Sequence, residues 1–156
     1  MKNMFSSNKF KFVLTGERFK NNDFEPVVSA TNIPGMQLGM IPQPNPIRKI
    51  ERPGDSLDFD SLVVGFQVQE DFSDWLTIFN WILELRDMKK TNIKELFSDA
   101  SLVLLSNKNN PNIVFNFENI FPVSISPLQL ELGTNDSPLL CDVEFKFISM
   151  KVLTTA

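Results

Sequence analysis

The segment of residues 29–85 constrains the fold most, because it joins three pieces that pack in different ways. An arm rich in proline and glycine leads into a strand with alternating polar residues, and the strand leads into a helix with two tryptophans. Five prolines stand between residues 34 and 53, and each removes a backbone hydrogen-bond donor. We therefore expect the arm to pair along one edge at most, and to pack against copies of the chain or against neighbouring proteins.

The composition predicts a single domain over residues 1–156 with an apolar core. Of the 156 residues, 42% are hydrophobic, which is enough for a core without a metal or a disulfide. Fifteen phenylalanines and no tyrosine favour buried ring contacts over wet surfaces. The formal charge of -4 argues against a basic patch of the kind that draws proteins onto a phosphate backbone. An acidic wall would instead repel a polyanion and let it slide without binding.

The usual residues of an active site are missing from the chain. Without histidine there is no ordinary general base, and the single cysteine, Cys141, lies on an alternating apolar face, which indicates a packed thiol. The group Asp55, Asp58 and Asp60 lacks the glycine and glutamate of an EF-hand loop, so we interpret it as a solvated strand face. One cysteine fits a reducing cytosol, and neither a signal peptide nor a membrane-spanning segment is expected. The sequence predicts no enzyme, no cofactor and no metal site.

Alternation of apolar and polar residues predicts about seven strands. The clearest case is the last strand, predicted from Cys141 to about Val152, in which Asp142 and Glu144 alternate with apolar residues. Residues 57–68 are predicted as one long strand, with a bulge or bend near Asp60 where the apolar parity changes. These patterns are typical of a mainly β protein, an antiparallel β-sandwich or barrel with one flanking amphipathic helix. The other predicted strands cover residues 10–14, 24–33, 47–52, 101–106, 113–117, 120–125 and 128–132, and residues 53–55 are predicted as a turn.

Residues 73–87 are predicted as the helix, capped by Asp71 or Ser73. Trp81 falls outside its main apolar stripe, which predicts a second buried surface, either against another subunit or in a cleft of the same domain. A second, short helix is predicted at residues 93–97. The main stripe is expected to lie on the sheet and comprises Trp75, Ile78, Phe79, Ile82 and Leu85.

Short motifs follow the arm, the strand and the helix in a recognisable order. They are NIPG at residues 32–35, PIR at 46–48, PGDSLDF at 53–59, ED at 70–71 and WLTIFNW at 75–81. This order resembles the tail tube proteins of contractile-tailed bacteriophages and their baseplate relatives. The likeness covers about residues 10–152, and its specific part is confined to residues 29–85. It implies a β-sandwich or small barrel with one flanking helix, six copies in a ring, and rings stacked into a hollow tube for genome passage.

The resemblance also implies roles for the arm and for two strands. The arm at about residues 34–53 would be the inter-subunit arm that reaches the next ring, and the strands at 57–68 and 141–149 are candidates for the inner wall. Asp142 and Glu144 are then candidate lumen charges, past which DNA moves without specific binding. The candidate interface residues are Pro34, Gly35, Met36, Pro42, Pro44, Pro46, Arg48, Arg52 and Trp81.

The partners and the location follow from the same resemblance. It implies a homo-oligomer of stacked hexameric rings, with other tail, sheath or baseplate proteins as partners and no membrane. It implies a place in the virion tail, with assembly in the cytoplasm of a bacterial host, as a main tube, initiator, baseplate or terminator subunit. The alternative is a small β-barrel ligand-binding module whose Phe-rich interior encloses an apolar guest. Native mass spectrometry separates the two, because a co-purifying small molecule indicates the module and hexamers indicate the tube.

Overall fold

The computed structural model describes residues 3–16, 19, 26–87, 96–133 and 136–154. Over these residues the chain forms nine strands and one helix. Most of the short helix predicted at residues 93–97 lies outside the described residues. The strands are β1 (Phe10–Thr15), β2 (Val27–Thr31), β3 (Met36–Gln43), β4 (Ile50–Phe59), β5 (Leu62–Gln67), β6 (Ser98–Leu105), β7 (Pro111–Ile125), β8 (Leu140–Lys146) and β9 (Ser149–Thr154), and the helix is α1 (Ser73–Asp87).

Seven strands form the main sheet, in the order β1-β6-β7-β8-β5-β2 with β9 also beside β7. The long strand β7 belongs to both halves of this sheet. Its first part, residues 111–120, pairs with β6 and β9, and its last part, residues 121–125, pairs with β8. Each pairing is antiparallel. The predicted class, mainly β with antiparallel strands and one helix, is confirmed, with nine strands where about seven were predicted.

A single core gathers inward side chains from both halves of the main sheet and from α1. The phenylalanines pack against one another inside it, as the rings of Phe117 and Phe147 do at a centroid distance of 5.0 Å. Cys141 is fully buried, and burial raises the pKa of its thiol, as expected of a packed thiol. The buried core residues are Phe12, Leu14, Leu62, Val64, Phe66, Ile78, Trp81, Ala100, Leu102, Phe117, Ile120, Cys141, Val143 and Phe145.

Several strand boundaries differ from the sequence predictions. Residues 57–68 divide between β4 and β5, so the bend predicted near Asp60 is confirmed, and it separates strands of two different sheets. The last predicted strand divides into β8 and β9. The pieces predicted separately over residues 113–125 form one strand, β7, which passes through Pro122 where the register with β8 shifts. A bulge tolerates proline because the ladder is already interrupted there. The strand predicted at residues 128–132 is wrong, because no strand covers them.

The Pro-rich arm pairs with the strand that follows it, and over the described residues each of these two strands pairs along one edge only, as predicted. Strands β3 and β4 form a separate two-stranded sheet, the β3–β4 hairpin, with residues 44–49 at its tip. The turn predicted at residues 53–55 is wrong, because these residues continue β4. The register of the β3–β4 pairing shifts between Leu38 and Met40. A Cβ added to Gly54 would lie 3.0 Å from the carbonyl oxygen of Gly39. The two glycines therefore allow the strands to approach closely at a bulge.

The helix begins beside two aspartates in opposite environments. Asp71 caps it, because its Oδ1 accepts a hydrogen bond from the Ser73 backbone N–H at 3.1 Å, and this bond lowers the pKa of Asp71. Asp74 is buried, and its Oδ2 has no hydrogen-bond partner among the described residues. Burial, and to a smaller extent the charge of Asp71, raises the pKa of Asp74. At the helix start the fold therefore stabilises the ionised form of Asp71 and destabilises the ionised form of Asp74.

Replacing Asp74 by asparagine is expected to remove a pH dependence of stability. Because the pKa of Asp74 is raised in the folded state, the native protein binds this proton more tightly than the unfolded chain does. The free energy of unfolding therefore falls as the pH rises from the ordinary aspartate pKa through the raised one. Asp74→Asn should lose this decline and be more stable than the wild type at neutral pH, measured by urea unfolding at a series of pH values.

Asp71→Asn is the control of opposite sign. The pKa of Asp71 is lowered in the folded state, so its contribution to stability is present at neutral pH and is lost as the pH falls through that lowered value. The Asp71 variant should therefore be destabilised at neutral pH and approach the wild type in acid. Identical pH profiles for the wild type and Asp74→Asn would contradict the assignment.

Candidate subunit interfaces

Three strands of the main sheet have an unpaired edge. Over the described residues, β1 pairs only with β6, β2 only with β5, and β9 only with β7. An unpaired edge presents free N–H and C=O groups that a strand of another chain satisfies. An open groove of about 350 Å³ is lined by residues from two of these strands. They are residues 10–14 of β1, Val28 of β2, and Pro26 directly before β2. The sheet thus offers places for lateral pairing with neighbouring chains.

The candidate lumen charges lie together on the outer face of the main sheet. Asp142 is exposed and Glu144 half-buried, and they alternate along β8 with the buried Cys141, Val143 and Phe145. The alternation follows from the strand period of two, which sends successive side chains to opposite faces. The sequence prediction that these two carboxylates share a face away from the core agrees with this geometry.

The surroundings of this face are small and polar. Asp142 lies directly over Gly65 of β5, where an added Cβ would be 2.7 Å from its Oδ1. The Ser124 hydroxyl donates a hydrogen bond to Oε2 of Glu144 at 3.3 Å. Lys146 stands on the same face at the end of β8. On this face β8 therefore carries two negative charges and one positive charge, so its contribution is weakly acidic.

The β3–β4 hairpin stands apart from the main sheet with most of its side chains in solvent. Nearly every residue of β3 and β4 is exposed, including large apolar side chains such as Met40 at 64% and Ile41 at 58%. At the tip, the Asn45 side chain accepts a hydrogen bond from the Ile47 backbone N–H at 3.0 Å, which stabilises the turn. Isolated two-stranded hairpins are marginal in water. An exposed apolar hairpin of this length is typical of a segment that packs on another chain.

The candidate residues of the arm are distributed from the base of this hairpin to its tip. At the base, Pro34 is buried, whereas Gly35 and Met36 are exposed. The Gly35 carbonyl accepts a hydrogen bond from Asp60 N–H at 2.9 Å, which closes the base. Toward the tip, Pro42, Pro44, Pro46, Arg48 and Arg52 are all exposed and available to a partner.

Trp81 belongs to the core, and its assignment to a subunit interface is corrected. Its side chain is 0% exposed, and its indole N–H donates a hydrogen bond to the Leu96 carbonyl at 2.7 Å. The ring also packs edge-on against Phe19 at 5.5 Å and lies 6.1 Å from Phe145. Of the two alternatives left open by the sequence, the cleft in its own domain is the one observed. A side chain without exposed surface leaves nothing for a neighbour to contact.

The predicted stripe of α1 lies on the core except at one aromatic residue, because Ile78 is buried and Trp75, Ile82 and Leu85 pack against the core. Asp74, Ile78 and Trp81 are the buried residues of the helix, whereas Phe79 is 39% exposed and stacks on Trp75 with ring centroids 5.0 Å apart. The predicted stripe therefore faces the core except at Phe79, and the buried surface extends to Trp81, whose indole N–H is hydrogen-bonded inside the domain.

The exposed apolar residues of the hairpin were also missed as interface candidates. Met36 was named, but Leu38, Met40 and Ile41 were not, although each is more than half exposed. The spacing of Met36, Leu38 and Met40 is the period of a strand and would have predicted an apolar edge.

The described residues show neither a membrane helix nor a cluster of metal ligands. None of their helices is long and apolar enough to cross a bilayer. They also contain no group of three or more side chains placed to hold a metal ion.

Solved structures share this fold over almost the whole chain. A chain of the anti-feeding prophage (AFP) baseplate is 16% identical with a TM-score of 0.71, over 99% of this chain and 98% of its own. A chain of the PVC sheath-tube complex, from an extracellular contractile injection system in the extended state, is 12% identical with a TM-score of 0.69, over 97% and 93%. The chain has the tail-tube fold. The resemblance inferred from the motifs is thereby confirmed at the level of the fold.

The tail-tube fold extends to more distant structures. The Hcp1 protein from the E. coli EAEC 042 pathovar is 9% identical with a TM-score of 0.55, over 94% of this chain and 98% of its own. No protein-family model and no curated protein sequence matches the chain. At these identities the likeness establishes the tail-tube fold alone.

Proposed function

We propose that this protein is a structural subunit that forms, or initiates, the hollow tube of a contractile tail or injection machine. The observation that carries the proposal is a tail-tube fold in which, over the described residues, three strands of the main sheet have an unpaired edge. Unpaired edges lead to uncontrolled aggregation unless a partner covers them. A closed ring of copies covers them without a second protein, because each copy supplies a strand to the next. The proposed ring contains six copies.

The proposed lumen is lined by the outer face of the main sheet that carries Asp142 and Glu144. Phosphate groups on DNA, or acidic cargo, are repelled by such a wall, so that cargo passes without binding. Lys146 reduces this repulsion without reversing it. The mechanism is mechanical and electrostatic, with no catalytic step, no cofactor and no metal.

The proposed partners are further copies of the chain and other tail, sheath or baseplate proteins. The PVC structure that shares the fold is a sheath-tube complex, and the AFP structure is a baseplate, which supports a place in the same kind of particle. We place the protein in the virion tail or an equivalent injection particle, assembled in the bacterial cytoplasm before use. The β3–β4 hairpin is the proposed inter-subunit arm.

Electron microscopy of the purified protein tests the proposal. We expect six-fold rings and short stacks at high protein concentration, and a reconstruction in which Asp142 and Glu144 face the lumen. The same map should show a strand of one copy hydrogen-bonded to a strand of the next. Monomers alone, at high concentration and with a co-expressed tail protein, would refute the proposal, as would a map in which the strand edges are covered within each chain.

A further inference from the structure

Positive charges gather at one end of the β3–β4 hairpin. Arg48 and Lys49 lie in the tip, and Arg52 follows within the first rungs of β4. All three are exposed, and together they form the cationic tip. Arg52 donates a hydrogen bond through its Nε to the neutral side chain of Gln43 at 2.6 Å. Lys49 approaches Glu51 at 3.6 Å, with both side chains largely in solvent, so this pair is weak.

Negative charges gather at the other end of the same hairpin. Asp55, Asp58 and Asp60 lie along the last part of β4 and directly after it, and all three are exposed. We call these residues the acidic base. Over the described part of the chain, none of the three carboxylates has a salt-bridge partner.

The two ends do not neutralise each other within one chain. Lys49 and Asp58 are nine positions apart, which at about 3.3 Å per strand residue corresponds to roughly 30 Å, and the nearest members of the two groups, Arg52 and Asp55, are three positions or roughly 10 Å apart. Charges in solvent are screened over about 8 Å at physiological ionic strength. The paired strands also prevent the tip from folding back onto the base. The cationic tip and the acidic base are therefore both open to an outside partner.

The apolar surface of the hairpin requires such a partner as well. Leu38 and Leu57 lie opposite each other near the base and are 53% and 49% exposed. Ile47 at the tip is 91% exposed. Burial of these side chains would provide affinity, whereas the charges would provide direction and register.

We propose that the cationic tip of one copy docks on the acidic base of the hairpin of a second copy. This proposal rests on the proposed function and names the surface on which the inter-subunit arm of a stacked ring binds. A second copy is the occupant because the same chain carries both complementary halves. A contact between two different surfaces of one protein closes into a ring where its rotation closes and otherwise repeats along an axis. We assign the open, repeating contact to the hairpin, which stacks copies along an axis, and the closing contact to strand pairing, which joins them within a ring.

The two kinds of contact respond differently to salt. Tip-to-base docking depends on exposed ion pairs, which salt screens. Lateral pairing depends on backbone hydrogen bonds, which salt affects little. Raising the salt concentration from 0.05 to 0.5 M should therefore separate stacks into single rings, and lowering it should restore them.

Charge reversal tests the proposal directly. The tip-reversed variant, with each tip cation changed to glutamate, should form rings with stacking affinity reduced on the order of 100-fold. The base-reversed variant, with each base aspartate changed to lysine, should behave in the same way. Rings of the two variants, assembled separately and then mixed in equal amounts, should stack alternately, since a tip of one variant meets a base of opposite sign only on the other. A chain carrying all six changes should stack by itself. The variants are Arg48→Glu with Lys49→Glu and Arg52→Glu, and Asp55→Lys with Asp58→Lys and Asp60→Lys.

Charge-preserving variants of the same positions are the matched controls. Arg48→Lys with Arg52→Lys, and Asp58→Glu with Asp60→Glu, keep the sign at each end and should stack as the wild type does. Circular dichroism and thermal unfolding confirm that every variant keeps the fold. Sedimentation velocity and electron microscopy at 0.05 M salt measure rings and stacks.

Each result bears on the proposal. Stacking by the mixture and by the chain with all six charge changes supports the docking proposal. If these copies associate end to end without closing into rings, the result counts only against the proposed ring. Wild-type rings that do not stack would overturn it and leave the proposed ring intact. Failure of both rescues while the wild type stacks would also overturn it. Wild-type protein that neither closes into rings nor associates end to end would overturn both proposals.

Discussion

Replacing Trp81 by alanine is expected to lower the free energy of unfolding by about 4 kcal/mol. The indole is 0% exposed and fills the space between α1 and the sheet, where it contacts Phe19 and Phe145. Its removal leaves a cavity that the surrounding strands cannot fill, because they are tied into antiparallel ladders. It also leaves the Leu96 carbonyl without the indole N–H that now lies 2.7 Å away. Urea unfolding followed by circular dichroism measures the loss.

Trp75→Ala is the matched control on the same helix. Trp75 packs against the edge of the core and stacks on Phe79 at 5.0 Å, but it is only half-buried, so the space left by its removal is open to solvent. We expect a loss of about 1 kcal/mol, the usual worth of a partly exposed aromatic pair. Equal losses for the two variants would contradict the assignment of Trp81 to the core. A Trp81→Ala protein of wild-type stability that no longer forms rings would return Trp81 to the subunit interface.

Removing the β3–β4 hairpin is expected to abolish stacking and leave the domain folded. Gln37 and Asp58 are paired across the two strands, so residues 38–57 can be replaced by an Asn-Gly turn that closes a two-residue hairpin. The remaining base keeps the hydrogen bond between Asp60 N–H and the Gly35 carbonyl. Phe59 also remains and continues to pack on Phe147, at a ring centroid distance of 5.4 Å.

The physical reason is the separation of the hairpin from the core. β3 and β4 pair only with each other among the described strands, and their side chains are mostly in solvent. The thermal midpoint of the shortened protein should therefore stay within a few degrees of the wild-type value, since surface changes away from the core have small effects. Stacks should disappear from micrographs at concentrations where the wild type forms them.

Two results would contradict this prediction. Stacks of normal length from the shortened protein would show that the hairpin is not the inter-subunit arm. A shortened protein that fails to fold would show that the hairpin supports its own domain. A chain in which Gln37 and Asp58 are joined by Gly-Gly is the control for the turn, because it removes the same residues with a different connection.

The helix shows which of its features the local sequence predicts and which depend on tertiary contacts. Its start was predicted within two residues from Asp71 and Ser73, and its end at residue 87 agrees with the structure, because capping depends on the chain next to it. Four of the five predicted stripe residues lie in the core or against it, whereas Phe79 is 39% exposed and Trp81, outside the stripe, is buried. The core selected Trp81 because that ring reaches the Leu96 carbonyl, which lies 15 residues away along the chain.

For the arm, too, some features follow from the local sequence and others from contacts between residues that are distant in the chain. Five prolines predicted a segment that pairs along one edge at most, and β3 and β4 pair only with each other among the described strands. That the segment pairs with itself was not predicted. The pairing depends on Gly39 and Gly54 meeting across the strands, and their distance along the chain exceeds the reach of any local pattern.

Alternation along single strands was enough to determine the mainly β class, the inward side of β8 and the shared outward face of Asp142 and Glu144. The period of two is a property of the extended backbone and needs no partner strand. Only the tertiary structure decided which strands are neighbours, where β7 passes from one half of the sheet to the other, and which strand edges remain open. Those features arise from hydrogen bonds between residues that are far apart in the chain, so neighbouring residues carry no trace of them.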